Sequence, residues 1–376
     1  MRTIQVVNVR WFNATAWYGV ALAECLQKAG HETIVAGLSG TPPLYAARKR
    51  GLDTVELPFN SNAPAGIVRC WHGMQALVRD FRPDVVNCHR GEAFILWALL
   101  KKKHGFALVR TRGDRRLPKN SFVNRWLYCQ ASDAVIATNS LMARHLSGVM
   151  GVPDMKLSTI LGGVDTSRFH PDAVQRVHMR QAYGYGDDDV VMGLLGRMDE
   201  VKGIRETISA LAKARALDPR AQHLKLLIIG FESQHSMQDV ARWSQENGLG
   251  PLGDAVKVTG RVESPEAVIN ALDFGILSSL GSEAIARAAL EIMASRVPLI
   301  SSTTGVMPDL IPAAFSFPPG DTGAMAQHMV AMLDIGRRDE LAGACEAKIM
   351  RGRLRLNDFL EDTLAVYDKI TGQHHV

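Results

Sequence analysis

The sequence predicts an α/β protein built from two doubly wound, parallel-sheet domains, and three observations lead to this. At 376 residues the chain exceeds the size at which a single hydrophobic core is usual. Short β-branched runs alternate with helical patterns through both halves, which is typical of parallel sheets. A segment with glycines and a proline, residues 162–173, separates the halves where a hinge is expected.

The expected domains are residues 1–168 and residues 169–352, facing each other across a cleft. Six strands are predicted in the first half and begin at Thr3, Glu32, Pro83, Ala107, Asp133 and Leu157. Five are predicted in the second half and begin at Asp189, Leu224, Ala255, Asp273 and Val297. The remainder, residues 353–376, contains a helical stretch with an apolar face that we expect to pack back on the first domain.

Composition excludes several classes of protein. The apolar fraction of 47% and the charged fraction of 22% are those of an ordinary globular protein. No apolar run approaches a membrane span, and the N-terminus reads as a strand without the apolar segment of a signal peptide, so a cytoplasmic location is expected. The five cysteines are scattered and never in CxxC spacing, which argues against a disulfide framework or a zinc site.

Charge is distributed unevenly along the chain. Residues 1–165 contain 21 Lys and Arg against 11 Asp and Glu, a formal +10, whereas the rest of the chain carries −5. A basic half would attract phosphorylated acceptors, anionic lipid head groups or nucleic acid. A soluble surface with lysine-rich helix ends explains it equally well. Lys/Arg tracts interleaved with aromatic residues are absent, so nucleic acid is not an expected partner.

The stretch GRMDEVKG, residues 196–203, follows a predicted strand directly and opens a helix. Arg197 and Lys202 therefore lie on a loop at the carboxyl edge of a parallel sheet, beside a helix N-terminus. An arginine fork, a lysine charge and a helix dipole together suit a diphosphate. The alternative is a solvated loop in which Asp199 or Glu200 pairs with Lys202.

A second stretch, GSEAIARAALEIMASRVPLIS, places Glu283 and Glu291 eight residues apart in a helical pattern that ends in a short strand. Packing alone can explain this helix, because apolar residues recur on one face. Glu291 can also simply pair with Arg287 four residues earlier, as exposed helix residues often do.

These stretches occur in a recognisable order: GVDTSRFHP, GRMDEVKG, LLIIG, VKVTGRV, the two-glutamate stretch and TGVMPDLI. Together they resemble the motifs of retaining glycosyltransferases of family four, which have the GT-B fold. The resemblance is nearly continuous over the second half and reaches the first half through PDVVNCH and DAVIATNS. The paired glutamates look like the family's E-x7-E motif. The stretches SEAIARAALE and GVMPDL resemble those of members that act on lipopolysaccharide and other cell-envelope glycans.

The resemblance implies roles on the donor side. Arg197 and Lys202 would hold the donor diphosphate and stabilise the leaving nucleotide. Glu291 would accept hydrogen bonds from the ribose hydroxyls, and Glu283 would contact the donor sugar. The start of the helix at Ala286, Arg287 and Ala288 would offer backbone N–H groups to the diphosphate, and Arg261 with Val262 would contact the base.

Departures from the family pattern are concentrated in the first half. The family has a glycine-rich loop after the first strand, whereas the corresponding stretch here contains a single glycine, Gly19. His89 matches the second histidine of the family's His-x-His and is a candidate catalytic residue, with a core histidine as the alternative. Asp114 stands near the place of a further family histidine and is a candidate acceptor-side contact. In the second half Ala286 and Arg296 replace common glycines.

The sequence therefore predicts a retaining, metal-independent glycosyltransferase that uses a nucleotide diphosphate sugar and no other cofactor. A UDP-sugar is the first expectation, with GDP- and ADP-sugars as alternatives. Asp187 and Asp189 spell DxD but precede a strand, so no metal is assigned to them. The expected acceptor is an envelope glycan or glycolipid such as a lipopolysaccharide core, reached from the inner face of the cytoplasmic membrane. A nucleotide-sugar epimerase and a non-catalytic anion-binding protein are the alternatives.

Overall fold

A computed structural model describes residues 1–114, 116–281 and 283–372. The chain forms two compact units. Unit 1 contains residues 1–162 and the C-terminal helix from Leu356, and unit 2 contains residues 163–355. The first boundary lies at residue 162 rather than 168, because the segment from Val164 is already tied to unit 2 by a bridge to Arg355.

Unit 1 is built on a seven-stranded, wholly parallel sheet in the order β3-β2-β1-β4-β5-β6-β7. The six predicted strands are present. The additional one is β3, a short edge strand whose residues are half-buried or exposed, so it lacks the apolar run that marks the others. The strands are β1 Arg2–Val7, β2 Glu32–Gly37, β3 Asp53–Glu56, β4 Val85–Cys88, β5 Ala107–Arg112, β6 Ala134–Ala137 and β7 Leu157–Thr159.

Helices cover both faces of this sheet, as the near-continuous burial of its central strands requires. β1 and β4 are buried over almost their whole length. The helices of unit 1 are α1 Ala14–Lys28, α2 Pro42–Lys49, α3 Pro64–Phe81, α4 Phe94–His104, α5 Phe122–Arg125, α6 Ser140–Gly148 and α15 Leu356–Thr371, with a π-helix at Trp126–Ala131 and a 3₁₀ turn at Asp154–Lys156.

Unit 2 contains a six-stranded parallel sheet in the order β10-β9-β8-β11-β12-β13. The five predicted strands are again present, and the unpredicted β13 is only two residues long. The strands are β8 Val190–Leu195, β9 Leu224–Ile229, β10 Val256–Val258, β11 Phe274–Leu277, β12 Leu299–Ser302 and β13 Ser316–Phe317.

Four of the eight α-helices described in unit 2 begin at a side chain that accepts backbone N–H groups. Ser236 and Asp239 form a capping box, for example, and Asp172 caps the first helix of the unit. The helices are α7 Ala173–Ala182, α8 Ile204–Leu217, α9 Met237–Glu246, α10 Pro265–Ile269, α11 Arg287–Ala294, α12 Met307–Leu310, α13 Thr322–Ala331 and α14 Ile335–Arg351, with 3₁₀ turns at Glu200–Lys202, Pro219–His223 and Ala313–Phe315.

Both sheets reverse their strand order at one point, and that point determines where a ligand site is expected. In unit 1 the reversal lies between β1 and β4, and in unit 2 it lies between β8 and β11. Open α/β sheets bind ligands outside the carboxyl ends of the strands at such switch points. The relevant loops are those after residues 7 and 88 in unit 1 and after residues 195 and 277 in unit 2.

The C-terminal helix α15 is part of unit 1. Phe359 packs edge-on against Tyr18 of α1, with ring centroids 4.6 Å apart. The buried Tyr367 hydroxyl accepts hydrogen bonds from Gln5 on β1 at 3.3 Å and from Asn87 on β4 at 2.9 Å. The helix is therefore fixed to the two strands that flank the switch point.

Candidate active site

The loop after β8 is shaped by glycines at close approach. Gly203 has φ of 66°, and a Cβ there would come within 2.3 Å of the Ser278 carbonyl oxygen, so only glycine lets α8 begin this close to the end of β11. The Lys202 side chain lies against Gly196. Arg197 and Lys202 are thus held on a compact loop at the switch point of unit 2.

Lys202 is anchored by Glu283. The Lys202 ammonium donates to the Glu283 carboxylate with an Nζ–Oε1 distance of 2.5 Å, and the Ser279 hydroxyl donates to the same oxygen at 2.5 Å. Glu283 is buried, and the Lys202 side chain is 19% exposed. The structure therefore joins two of the predicted site residues, 81 positions apart in the chain, in one buried ion pair.

The backbone of Glu283 is held by the loop after β12. Val306 donates its N–H to the Glu283 carbonyl at 2.8 Å, and a Cβ on Gly305, whose φ is 61°, would meet that carbonyl oxygen at 2.1 Å. Thr304 donates to the carbonyl of Ser279 at 2.9 Å. Sequence reasoning missed Ser279, Thr304 and Gly305 as supports, although the glycine in TTGVM was a signal for a tight approach.

Arg197 is oriented by a near neighbour. Its guanidinium pairs with Asp199 at 2.7 Å, and its side chain is 54% exposed. The alternative in which Asp199 or Glu200 pairs with Lys202 is wrong, because Lys202 pairs with Glu283 and Asp199 with Arg197. One cation is therefore fixed and the other can move toward solvent.

Helix α11 begins at Arg287, so Glu283 lies on the preceding loop and Glu291 on the helix. The N-cap residue Ala286 has φ of 47° and supplies no side-chain cap. Arg296, just after the helix, has φ of 57°. Both residues replace glycines of the family pattern, and both retain the left-handed backbone that favours glycine. The backbone N–H groups of Arg287 and Ala288 belong to the first turn of this helix.

Glu291 makes the predicted helix pair. Arg287 Nε donates to Glu291 Oε1 at 2.5 Å, but the carboxylate is only 7% exposed and is not the solvated contact expected. Burial raises the pKa of Glu291 above its ordinary value, while Arg287 and then Arg168 act in the opposite direction. Arg168, itself paired with Glu266 at 2.8 Å, is a neighbour that the sequence analysis did not assign to the site.

Arg261 and Val262 lie on the loop after β10. The Arg261 guanidinium stacks over the Phe231 ring, 4.0 Å from its centroid, and Val262 is half-buried. Phe231 follows β9, the strand next to β8. The predicted base-contacting residues thus belong to the same carboxyl edge as Lys202, with an aromatic ring among them.

His89 is a buried residue of unit 1, which fits the alternative of a core histidine better than a catalytic role. Its side chain is fully buried, with Nε2 3.1 Å from the Gln5 side-chain oxygen. The ring packs so closely on α1 that a Cβ at Gly19 would come within 2.9 Å of it. Burial and the charge of Arg110 lower the pKa of His89 to about 3. These are the contacts of a neutral imidazole enclosed within unit 1.

Asp114 lies after β5 and bridges two arginines. Its carboxylate is 3.1 Å from Arg90 NH1 and 2.5 Å from Arg112 NH1, and its side chain is 15% exposed. It therefore lies at the carboxyl edge of the unit 1 sheet, near the switch point, where an acceptor contact was expected.

Within the described residues, no group of three or more His, Cys, Asp and Glu side chains is arranged to hold a metal ion. Asp189 accepts the Gly186 N–H and lies 3.7 Å from Lys225, at the start of β8 and away from the site. Its contacts are those of a turn residue. Over the same described ranges, no helix has the length and apolarity that a membrane span requires.

Comparison with protein families gives two matches. Residues 16–168 match the model described as Glycosyltransferase Family 4, and residues 189–334 match the model described as Glycosyl transferases group 1. The two matches fall in units 1 and 2 respectively, apart from the few residues after 162.

Among curated relatives, a D-inositol 3-phosphate glycosyltransferase of Segniliparus rotundus is 25% identical over 273 residues. The match covers 69% of this chain and 59% of that protein, so the chain spans less than two thirds of the relative's length.

Solved structures reproduce the fold over the whole chain. A glycosyltransferase from Rickettsia africae has a TM-score of 0.87 at 19% identity, covering 99% of both chains. Anabaena HepE in complex with UDP and glucose has a TM-score of 0.80 at 16% identity, covering 98% of this chain and 100% of that one. The two parallel-sheet units are those of the GT-B fold, and with both halves matched the chain belongs to the family-four glycosyltransferases.

Proposed function

We propose that the protein transfers a sugar from a nucleotide diphosphate sugar to an acceptor hydroxyl, with retention of configuration and without a metal ion. The observation that carries this proposal is the Lys202–Glu283 pair at the switch point of unit 2, with Arg197 on the same loop. A fixed ammonium and a mobile guanidinium suit a diphosphate, whose charge grows as the sugar leaves.

The proposed reaction breaks the bond between the sugar C1 and the phosphate oxygen and forms a C1–oxygen bond to the acceptor on the same face. The acceptor hydroxyl gives its proton to the departing phosphate oxygen, so no protein nucleophile is needed. Lys202 and Arg197 stabilise the phosphate charge in the transition state. An ammonium has three N–H donors, and Glu283 takes one of them in the structure, so Lys202 can contact a phosphate while it stays anchored.

We assign the remaining donor contacts by the same combination of position and chemistry. Glu283 would meet the hydroxyls of the donor sugar and Glu291 those of the ribose. Arg261, stacked on Phe231, would meet the base. The N–H groups at Ala286, Arg287 and Ala288 would meet the diphosphate. UDP is the first candidate for the nucleotide, because the similar Anabaena structure holds UDP and glucose.

The charge of unit 1, which carries 22 basic against 14 acidic residues, supports an anionic acceptor. An envelope glycan or glycolipid such as a lipopolysaccharide core is one class. A polyol phosphate is the second, supported by the name of the Segniliparus relative. Asp114 is the proposed acceptor-side contact, since it lies at the carboxyl edge of that sheet.

A thermal-shift panel tests the donor half of the proposal. UDP, GDP, ADP and their sugar conjugates are added with and without EDTA to the wild type and to Glu291→Ala. A ligand at 100 times its dissociation constant stabilises a fold by about 2.7 kcal/mol. We expect one nucleotide diphosphate to stabilise the protein equally with EDTA present, and Glu291→Ala to lose that shift.

The nature of the reaction is tested by NMR of the sugar product. Transfer with the donor's anomeric configuration supports the proposal. Inverted product, or a donor sugar epimerised without transfer, contradicts it. Absence of any nucleotide shift together with absence of turnover would favour a non-catalytic anion-binding protein.

A further inference from the structure

Three arginines gather at the switch point of unit 1. They are Arg90, which follows β4, and Arg110 and Arg112, which end β5. We call them, with Glu92 and Asp114, the arginine cluster. Arg90 lies on the loop after β4, one of the two strands that flank the reversal of strand order. This is the place where an open α/β sheet takes its ligand.

Two of these arginines are buried yet incompletely bonded. Arg110 is 1% exposed, and its NH1 donates to the carbonyl oxygens of Cys88 at 2.7 Å and Thr111 at 3.1 Å. Its NH2 has no hydrogen-bond partner. Arg112 is 9% exposed and likewise has an unpartnered Nε. Buried polar groups in folded proteins are nearly always hydrogen-bonded, so two unpartnered cationic donors in one cluster need an explanation.

The charge of the cluster is also uncompensated among its described members. Three guanidinium groups face two carboxylates, Glu92 and Asp114. Burial and the neighbouring charge of Arg110 lower the pKa of Arg112. Like charges in a desolvated place are expensive unless an anion joins them. The cluster therefore carries one formal positive charge more than its carboxylates balance.

Part of the cluster is exposed to solvent. Arg90 and Glu92 have side chains 34% and 36% exposed, so they lie at the solvent side, whereas Arg110 and Arg112 lie beneath. Gly91 lies beside the unpartnered Nη2 of Arg110. A Cβ added to Gly91 would be 3.6 Å from that nitrogen, and glycine has no side chain to cover it.

We propose that the arginine cluster binds a phosphate group carried by the acceptor. Guanidinium forks match the oxygens of a phosphate in charge and spacing. In the ligand-free protein, Asp114 is paired with Arg90 and Arg112. The phosphate replaces Asp114 as the acceptor of their N–H groups and also accepts from the unpartnered nitrogens of Arg110 and Arg112. The inference rests on the proposed glycosyl transfer, because it assigns the phosphate to the acceptor of that reaction.

Titration calorimetry with inorganic phosphate tests this in the full-length protein. The nucleotide selected by the thermal-shift panel is kept saturating, so that phosphate cannot occupy the donor site. If no nucleotide binds, the Lys202→Ala background serves the same purpose. We expect the wild type to bind phosphate in preference to acetate. Arg90→Gln and Arg112→Gln should each weaken binding at least about tenfold, which corresponds to about 1.4 kcal/mol.

Asp114→Asn gives a test of opposite sign. It removes the carboxylate that competes for both arginines, so phosphate affinity should rise. Unfolding midpoints and nucleotide affinity, which depends on unit 2, show whether each variant is folded. A folded Arg112→Gln with normal nucleotide binding and unchanged phosphate affinity overturns the proposal, as does absence of phosphate binding to the wild type.

Arg79→Gln is the matched control, since it removes one guanidinium from unit 1 at a side chain 73% exposed. Arg79 lines a separate basic cavity of about 690 Å³ that also contains Arg2, Arg82 and Lys101. That cavity opens beside the starts of β1 and β5, at the opposite edge of the sheet. Phosphate binding that is lost in Arg79→Gln and kept in Arg90→Gln would place the anion there and contradict the arginine cluster.

The same experiment separates the two proposals. If nucleotide binds and phosphate does not, the acceptor-phosphate site fails and glycosyl transfer stands. If phosphate binds at the arginine cluster while no nucleotide binds and no donor is turned over, the proposed function fails and an anion site remains.

Discussion

At the scale of single residues, the proposed donor site depends on the contacts of Lys202. The ammonium is held by a buried carboxylate, so its position is set before any substrate arrives. Preorganised charge of this kind stabilises a transition state without reorganisation during the reaction. The position of the Lys202 ammonium therefore depends on Ser279, Thr304 and Gly305, which position Glu283.

Lys202→Ala should lower donor turnover by about 10²-fold or more, the usual loss on removing one preorganised electrostatic contact. The measurement is release of the free nucleotide from the nucleotide sugar at saturating donor. Lys213→Ala is the control, because Lys213 lies on α8 and donates to Thr322 at an exposed site. Near-normal turnover in Lys202→Ala would remove the diphosphate role.

His89 supports a prediction about pH and stability. Its pKa is about 3 in the folded protein against about 6.5 in the unfolded chain, so the unfolded state takes up a proton first as the pH falls. The stability that depends on neutral His89 is present above pH 6.5 and is lost toward pH 3. Between pH 7.5 and pH 5 this loss is about 2 kcal/mol.

Urea unfolding at the two pH values measures this loss, with His89→Gln as the comparison. The variant has no imidazole to protonate, so its stability should fall less than that of the wild type by about that amount. Equal losses in the two proteins would mean that His89 titrates normally and is not enclosed.

At the scale of elements, strands were predictable where burial shows in the sequence. β1 and β8 are buried over nearly their whole length, and both are rich in apolar and β-branched residues. β3 and β13 are edge strands, one polar and one two residues long, and they form because neighbouring strands offer partners rather than through their own sequence.

The residues proposed for the donor side were predictable as neighbours for a similar reason, and the members of the arginine cluster were not. Arg197 and Lys202 share one short loop, and Glu283 and Glu291 share one stretch, so local spacing carries the information. The arginine cluster joins the loop after β4 to the end of β5 and the loop that follows it, which are brought together only by strand order. The motif position of His89 does not reveal that α1 packs over it at Gly19.

The attachment of α15 to unit 1 gives a prediction at this scale. Tyr367→Phe removes the hydroxyl that accepts from Gln5 and Asn87 and leaves two buried amide donors without that partner. We expect a loss of about 1–3 kcal/mol in the free energy of unfolding. Tyr45→Phe, at a residue 74% exposed, should change little in the same urea titration. Equal stability of both variants would show that the helix does not depend on this contact.

At the scale of the whole molecule, the two units differ in net charge. Unit 1 has a formal charge of +8 and unit 2 of −3. Unit 1 also exposes Phe122 and Val123, 86% and 51% accessible, between the basic residues Lys119 and Arg125. Apolar side chains inside a basic surface suit the interface of an anionic membrane. We therefore keep peripheral membrane association as a proposal for this face.

Sedimentation with anionic vesicles tests that proposal. Wild-type binding should weaken as salt rises, since charge screening shortens the electrostatic range. Phe122→Ser should bind less well than the wild type, and Tyr45→Ser, on α2, should bind equally well. Binding that is insensitive to salt and to Phe122→Ser would contradict the proposed mode.

The central claim is that the switch point of unit 2 holds a nucleotide diphosphate through Lys202, Arg197 and Glu291 without a metal. The most direct measurement is calorimetric titration of UDP, in EDTA, into the wild type, Lys202→Gln and Lys213→Gln. We expect UDP to bind the wild type and Lys213→Gln with equal affinity and Lys202→Gln at least about tenfold more weakly. Equal binding to all three proteins, or binding that requires a divalent ion, would contradict the claim.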